Sequence, residues 1–189
     1  MHGCDKGQRY KLYCTFVIRN NGIETMVRIG LLSDTHAYWD DKYVEYFDSC
    51  DEIWHAGDMG SEEIMQRLST LKPLRAVYGN IDGQSLRRQY PLLLCFEQEG
   101  VKVMMTHIGG YPGRYAPEIR KELYTYRPQL FISGHSHILK VMYDKTLECL
   151  HINPGAAGKS GFHQVRTLIR FTIDKGEIRD LEVIELGKR

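Results

Sequence analysis

Three short apolar runs, each stopped by a glycine or an acidic residue and separated by stretches of helical spacing, constrain this chain more than any other feature. The first, Val27-Arg28-Ile29-Gly30-Leu31-Leu32, ends in Ser33-Asp34. Asp41 to Phe47 then has helical spacing, and Tyr43, Val44 and Phe47 are predicted to share a face. Glu52-Ile53-Trp54-His55 reads as a second strand, closed by Gly57-Asp58. Ser61 caps a helix bearing Ile64, Met65 and Leu68, and Leu74 to Tyr78 forms a third strand ending in Gly79-Asn80. Strand, helix, strand, helix, strand in this order implies parallel βαβ units.

The second half is strand-rich. Leu92 to Glu97 and Val101 to Thr106 flank a hairpin turn at Glu99-Gly100, and a helix starts at Pro117 and runs to about Tyr126. Strands follow at Leu130 to Ser133, Leu139 to Tyr143, Cys149 to Ile152, Arg166 to Ile173 and Ile178 to Ile184. So many strands in 189 residues predict two packed sheets with helices outside them. Residues 1–25 lack such periodicity, so the folded domain is expected over residues 26–189, preceded by an extension that is disordered or a non-native start. Tyr10, Tyr13 and Phe16 in that extension are candidates for contact with a partner chain, and His2 is assigned no role.

Bulk properties exclude several classes. A net charge of +1 argues against a nucleic-acid surface. Five widely spaced cysteines, an odd number without a C-x-x-C pair, argue against a disulfide framework and for a reducing compartment, so the expected location is cytoplasmic. Apolar stretches such as Leu92 to Phe96 fall far short of the ~20 residues that span a bilayer. Trp54 and Cys95 read as core, His55 as structural or supporting, and His151 as a strand residue.

Metal-competent side chains fall at the carboxyl ends of successive apolar strands: Asp34 and His36, Asp58, Asn80, His107, then His135 and His137. Ligands of open α/β sheets gather beyond those ends, so these residues are expected to converge. Mixed oxygen and imidazole donors suit Mn, Fe or Zn better than Mg or Ca. The set is too large for one ion with open positions but suffices for two ions about 3.5–4 Å apart if one carboxylate bridges. Gly57, Gly79 and Gly134 fit sharp turns beside such a site. Asp82 is a candidate for fixing the Asn80 turn from outside the ligand set, while Arg114 and His163 are candidates for meeting substrate from neighbouring glycine-rich loops.

Ser33-Asp34-Thr35-His36, Gly57-Asp58, Gly79-Asn80-Ile81-Asp82, Thr106-His107 and Gly134-His135-Ser136-His137 resemble the ordered motifs of the calcineurin-like metallophosphoesterase superfamily. Asn153-Pro154-Gly155 is similar to a further motif of its small microbial phosphodiesterase branch. The resemblance runs from about Met26 to the C-terminus. It implies an α/β fold: a four-layer α/β/β/α sandwich of two mixed sheets, with a dinuclear metal site at the strand carboxyl ends. It implies one ion on Asp34, His36, Asp58 and His137, and another on Asp58, Asn80, His107 and His135. Mn²⁺ is the expected metal, with Fe, Zn or Ni as alternatives. A water bridging the ions would attack phosphorus in line as hydroxide, with Asp58, Asn80 and His107 the residues assigned to catalysis.

Two departures from the superfamily pattern stand out. Ile81 occupies the position where many of these phosphatases carry a histidine that protonates the leaving group, and Ile108 replaces a usual glycine. The expected activity is cleavage of a small phosphoester, foremost a phosphodiester, by a chain that forms a homo-oligomer. A phosphomonoesterase or nucleotide pyrophosphatase is the enzymatic alternative. A non-catalytic protein-binding scaffold, as in the retromer subunit of this fold, is the other.

Overall fold

The computed structural model describes residues 26–189 and a two-residue strand, β1 (Tyr13–Cys14). The expectations for residues 1–25 otherwise lie outside the described residues. The elements after β1 are β2 (Val27–Leu32), α1 (Lys42–Phe47), β3 (Glu52–His55), α2 (Glu62–Leu71), β4 (Leu74–Ala76), α3 (Gln84–Gln89), β5 (Leu93–Gln98) and β6 (Val101–Thr106). They continue with β7 (Gly110–Tyr111), β8 (Arg114–Tyr115), α4 (Pro117–Tyr126), β9 (Leu130–Ile132), β10 (Leu139–Asp144), β11 (Cys149–Pro154), β12 (Val165–Asp174) and β13 (Glu177–Lys188).

One sheet has the order β13-β12-β2-β3-β4, and the other β1-β5-β6-β9-β11-β10. In the first, β2, β3 and β4 are parallel, while β12 returns antiparallel to β2 and pairs β13. In the second, β6, β9 and β11 are parallel, and β5 and β10 run against them. Both sheets are therefore mixed. The period-2 alternation of strands explains the layering. Ile29 and Leu31 of β2 join Trp54, Phe96, Val103, Met105, Ile132 and Phe171 in a core between the sheets. Leu32 and Ile53 face the other way and pack with Tyr43, Phe47, Met65 and Leu68 of α1 and α2. Behind the second sheet, Ile119 and Leu123 of α4 pack on Cys95, Met104 and Phe131. Gly30 allows α1 to lie close, because a methyl there would overlap the Phe47 ring.

Several boundaries differ from expectation. Val44 is exposed, since only Tyr43 and Phe47, four residues apart, share the buried face of so short a helix. Strand β4 stops at Ala76, and β11, β12 and β13 extend beyond their apolar runs because ladder pairing, not side-chain pattern, carries their ends. The segment 110–115 is a small hairpin, β7–β8, instead of an open loop. Helix α3 has a single buried apolar residue, Leu86, too little for periodicity to reveal it. No helix among the described residues is long and apolar enough to cross a membrane.

Candidate metal centre

Because β2, β3 and β4 are parallel, Asp34, Asp58 and Asn80 leave the first sheet at one edge; β6 and β9 do the same for His107 and His135 in the second. The two edges meet. His107 Nδ1 lies 2.8 Å from the Ala56 carbonyl oxygen on the opposite sheet, so it carries the proton and donates. Its Nε2 is then turned towards Asp58 Oδ2 at 3.2 Å and Asp34 Oδ1 at 3.8 Å. His137 Nε2 stands 3.1 Å from Asp34 Oδ1, and His36 Nε2 lies 3.9 Å from Asp34 and 3.8 Å from Asp58.

The backbone is bent to achieve this. Asp34 (φ 55°), His36 (47°), Asp58 (54°), His135 (68°) and His137 (57°) all take the left-handed conformation. That region is uncommon for any residue but glycine and is found where a fold holds side chains for function. At Gly79 and Gly134 glycine serves close approach instead. A methyl at Gly79 would collide with the Asp58 carboxylate, and one at Gly134 would lie 2.9 Å from the Ala56 oxygen.

Two groups could each hold a cation: Asp34, His36 and His137, and Asp58, His107 and His135, with donor atoms within 4.8 Å of one another in each group. The donor set fits such ions. Asp34 Oδ1 and His107 Nε2 are buried without a hydrogen-bond partner, an arrangement that costs about 1–3 kcal/mol per group unless something satisfies it. Burial opposes charging His107, but the adjacent Asp58 carboxylate, the Asp34 charge and the Ala56 carbonyl outweigh it and raise its pKa. Burial likewise opposes ionising Asp58, yet His107 and the Ile81 N–H, which donates to Oδ1 at 3.0 Å, hold its pKa below the usual carboxylate value. For His135, burial and the neighbouring His107 lower the pKa, favouring the neutral ring a metal needs.

Surrounding residues orient this set. Asp82 is buried and accepts from Gly79 N–H at 2.8 Å and Gly60 N–H at 2.9 Å, so it ties the Asn80 turn to the end of the Asp58 loop. Gly57 N–H donates to His55 Nδ1, which leaves His55 Nε2–H to donate to Thr35 Oγ1 at 3.0 Å; Thr35 in turn donates to Met59 O. Burial lowers the His55 pKa to about 4, which keeps that relay neutral. Asn153 Nδ2 donates to Gly134 O at 2.7 Å and Ser136 Oγ at 3.1 Å, pinning the loop that carries His135 and His137. Asn153 and Thr35 stood in motifs that resemble those of the superfamily and His55 read as structural or supporting, but the contacts they make were not legible in residue spacing.

Asn80 is exposed and enters the same corner, flanked by Gly79 against Asp58 and by the Ile81 N–H on Asp58. The His163 ring stands 5.3 Å from that of His137, its Nε2 donating to Gly158 O at 3.0 Å. Arg114 is exposed on β8, and among the described residues it makes no hydrogen bond or ion pair with the cluster.

A profile of the calcineurin-like phosphoesterase superfamily domain matches residues 27–176. The chain belongs to this superfamily. It is 30% identical over 166 residues to a probable metallophosphoesterase of Methanothermobacter thermautotrophicus, covering 84% of this chain and 92% of that protein. A probable metallophosphoesterase of Methanocaldococcus jannaschii is 32% identical over 136 residues, covering 68% of this chain and 67% of that one. Among solved structures, Vps29 of Chaetomium thermophilum superposes with a TM-score of 0.66 at 13% identity, over 86% of this chain and all (100%) of that one. A Thermotoga maritima protein gives 0.62 at 24% identity, over 85% and 99% of the two chains. Vps29 of Entamoeba histolytica complexed with Zn²⁺ gives 0.61 at 15%, over 84% and 98%. At these identities the structural likeness establishes the fold. The superfamily is one of divalent-metal hydrolases, and the two carboxylate–imidazole groups are this member's candidate seats for the ions.

Proposed function

We propose that the protein is a two-metal phosphodiesterase, with one ion on Asp34, His36, Asp58 and His137 and the other on Asp58, Asn80, His107 and His135. The observation that carries this reading is the pair of orphaned buried atoms, Asp34 Oδ1 and His107 Nε2, turned into a knot of carboxylates and imidazoles. A scaffold would gain from losing them, since each is costly without a cation. The ions would supply water of lowered pKa and neutralise charge on the phosphoryl oxygens. The chain's own part is to hold donors at fixed angles: Ala56 O fixes the His107 ring, the Ile81 N–H fixes Asp58, and the His135 N–H, at 3.1 Å, fixes Asp34.

Mn²⁺ is the metal we assign first, with Fe, Zn or Ni next, because the donors mix imidazole with carboxylate. A diester is favoured over a monoester because isoleucine, not a cation, follows Asn80, His107 and His137. Ile81 cannot protonate a leaving group, so substrates with good leaving groups are favoured, and Ile81→His is expected to accelerate poor ones. Small phosphoesters, not nucleic acids, are the partners that the near-neutral charge supports, and self-association is the further expectation. Burial pushes the Cys50 thiol up to about 11 and Cys149 to about 12, which suits unreactive thiols in a reducing cytoplasm.

The test is hydrolysis of bis-p-nitrophenyl phosphate and p-nitrophenyl phosphate by metal-stripped protein, with Mn²⁺ and other divalent ions added back. Diester turnover that needs metal and disappears in Asn80→Ala and His107→Ala is the expected result. Faster monoester turnover would move the assignment to a phosphomonoesterase, and folded protein inactive with every metal would sink the enzyme reading.

A further inference from the structure

Ile81, Ile108 and Ile138 each directly follow a candidate ligand, and they are 47%, 42% and 60% exposed. Phe162 joins them at 102% exposure. It is held between Gly161, packed against the His137 ring, and His163, whose ring is 5.3 Å from that of His137. Single exposed apolar residues are ordinary on a protein surface. Four that adjoin in sequence the residues of one charged cluster form a collar around it, and exposed apolar residues gathered at one place mark a binding site.

Ile108 continues the collar into a cavity of about 300 Å³, lined also by Leu92, Leu93 and Ile119. That volume lies near the lower end for small-molecule sites. Two carboxylates, Glu118 and Glu122, face the same cavity, and Glu122 Oε2 is buried without a partner. The walls therefore favour apolar matter, repel a second anion, and leave one acceptor open to a donor.

We infer that the substrates are phosphodiesters in which one ester group is apolar and carries no negative charge, that group lying across the collar in the Ile108 cavity. A hydroxyl or amine on it would satisfy Glu122 Oε2. This rests on the phosphodiesterase reading and narrows it by excluding esters with further phosphate or carboxylate groups. The selectivity comes from apolar area removed from water on one side and carboxylate repulsion on the other.

The test uses the Mn²⁺-loaded full chain and three diesters that share p-nitrophenolate as leaving group, with methyl, phenyl or 4-carboxyphenyl as the retained group. Rates are divided by those of uncatalysed hydrolysis. The expected kcat/KM for phenyl exceeds that for methyl by about tenfold or more, and 4-carboxyphenyl falls back to the methyl value or below. Ile108→Ala and Phe162→Ala are expected to shrink the phenyl-to-methyl ratio, and Glu122→Gln to raise 4-carboxyphenyl relative to phenyl. Equal values for the three esters in the native protein would overturn the inference while leaving the phosphodiesterase standing. Equal values together with self-association abolished by Phe162→Asp would give the collar to a second copy of the chain. Turnover of none of the three would remove the phosphodiesterase reading itself.

Discussion

In the Asp58–His107–His135 group the protein's backbone holds two donors in place, Asp58 through the Ile81 N–H and His107 through Ala56 O. In the Asp34–His36–His137 group it holds one, Asp34, through the His135 N–H. The His36 and His137 rings meet only each other by hydrogen bonding among the described residues, Nε2 to Nε2 at 3.3 Å, and both are part-exposed. Two donors of the first group are held before any ion arrives, while the second relies on the ion to align two rings that no backbone group holds. Second-layer hydrogen bonds of this kind fix ring orientation and raise ligand affinity. The two seats should therefore fill in sequence, the His107 seat at lower metal concentration, as a two-step calorimetric titration with Mn²⁺ would show. A single step with equal affinities would erase the distinction.

The strongest challenge to that comparison is Asp58→Ala. Asp58 stands beside both His36 and His107, so its loss is expected to empty both seats and lower turnover by on the order of 10³-fold. Residual activity with one ion still bound would show that the halves work independently. Next come single ring deletions. His107→Ala is expected to weaken the tighter binding step by about 100-fold, and His36→Ala to weaken only the looser step, by about tenfold. Asp82→Asn tests the support of one seat: without the carboxylate joining Gly79 to Gly60, metal affinity at the His107 seat should fall about tenfold.

The remaining expected effect concerns the loop shared by both seats. His151 contacts Ser133, just before Gly134-His135, with Nε2 to Oγ at 3.0 Å, and burial lowers its pKa to about 4. The unfolded chain takes up this proton near pH 6.5 and the folded one only near 4. The stabilisation is thus complete above pH 6.5 and is lost as pH falls through that window, by at most about 1.4 kcal/mol per pH unit. Denaturant unfolding of His151→Gln should show this slope reduced by one proton; an unchanged slope would mean that His151 does not titrate there.

The strand ends that carry the candidate site were legible in the sequence because each pairs an apolar run with an abrupt polar stop, as in Leu31-Leu32-Ser33-Asp34. The split into two sheets followed from the number of strands, and Pro117 and Ser61 marked helix starts that the structure shows. What stayed hidden depends on contacts distant in the chain. Asn153 clamps a loop nineteen residues away, and His55 orients Thr35 across twenty. Helix α3 offers one apolar side chain, and Val44 misled because a six-residue helix can bury only one narrow stripe. The left-handed conformation of Asp34, His36, Asp58, His135 and His137 was equally invisible, since glycine was the expected carrier of such turns.

Those left-handed residues also bear on how such a chain can change over generations. Each holds a conformation that costs a residue with a Cβ roughly 1 kcal/mol or more, which glycine does not incur. Mutation away from aspartate or histidine towards glycine at these positions therefore relieves the backbone while it removes a donor. Selection for hydrolysis has to act continually against that gain, and a lineage freed from the need to cleave esters would drift downhill in free energy towards a sturdier, inert form of the same fold.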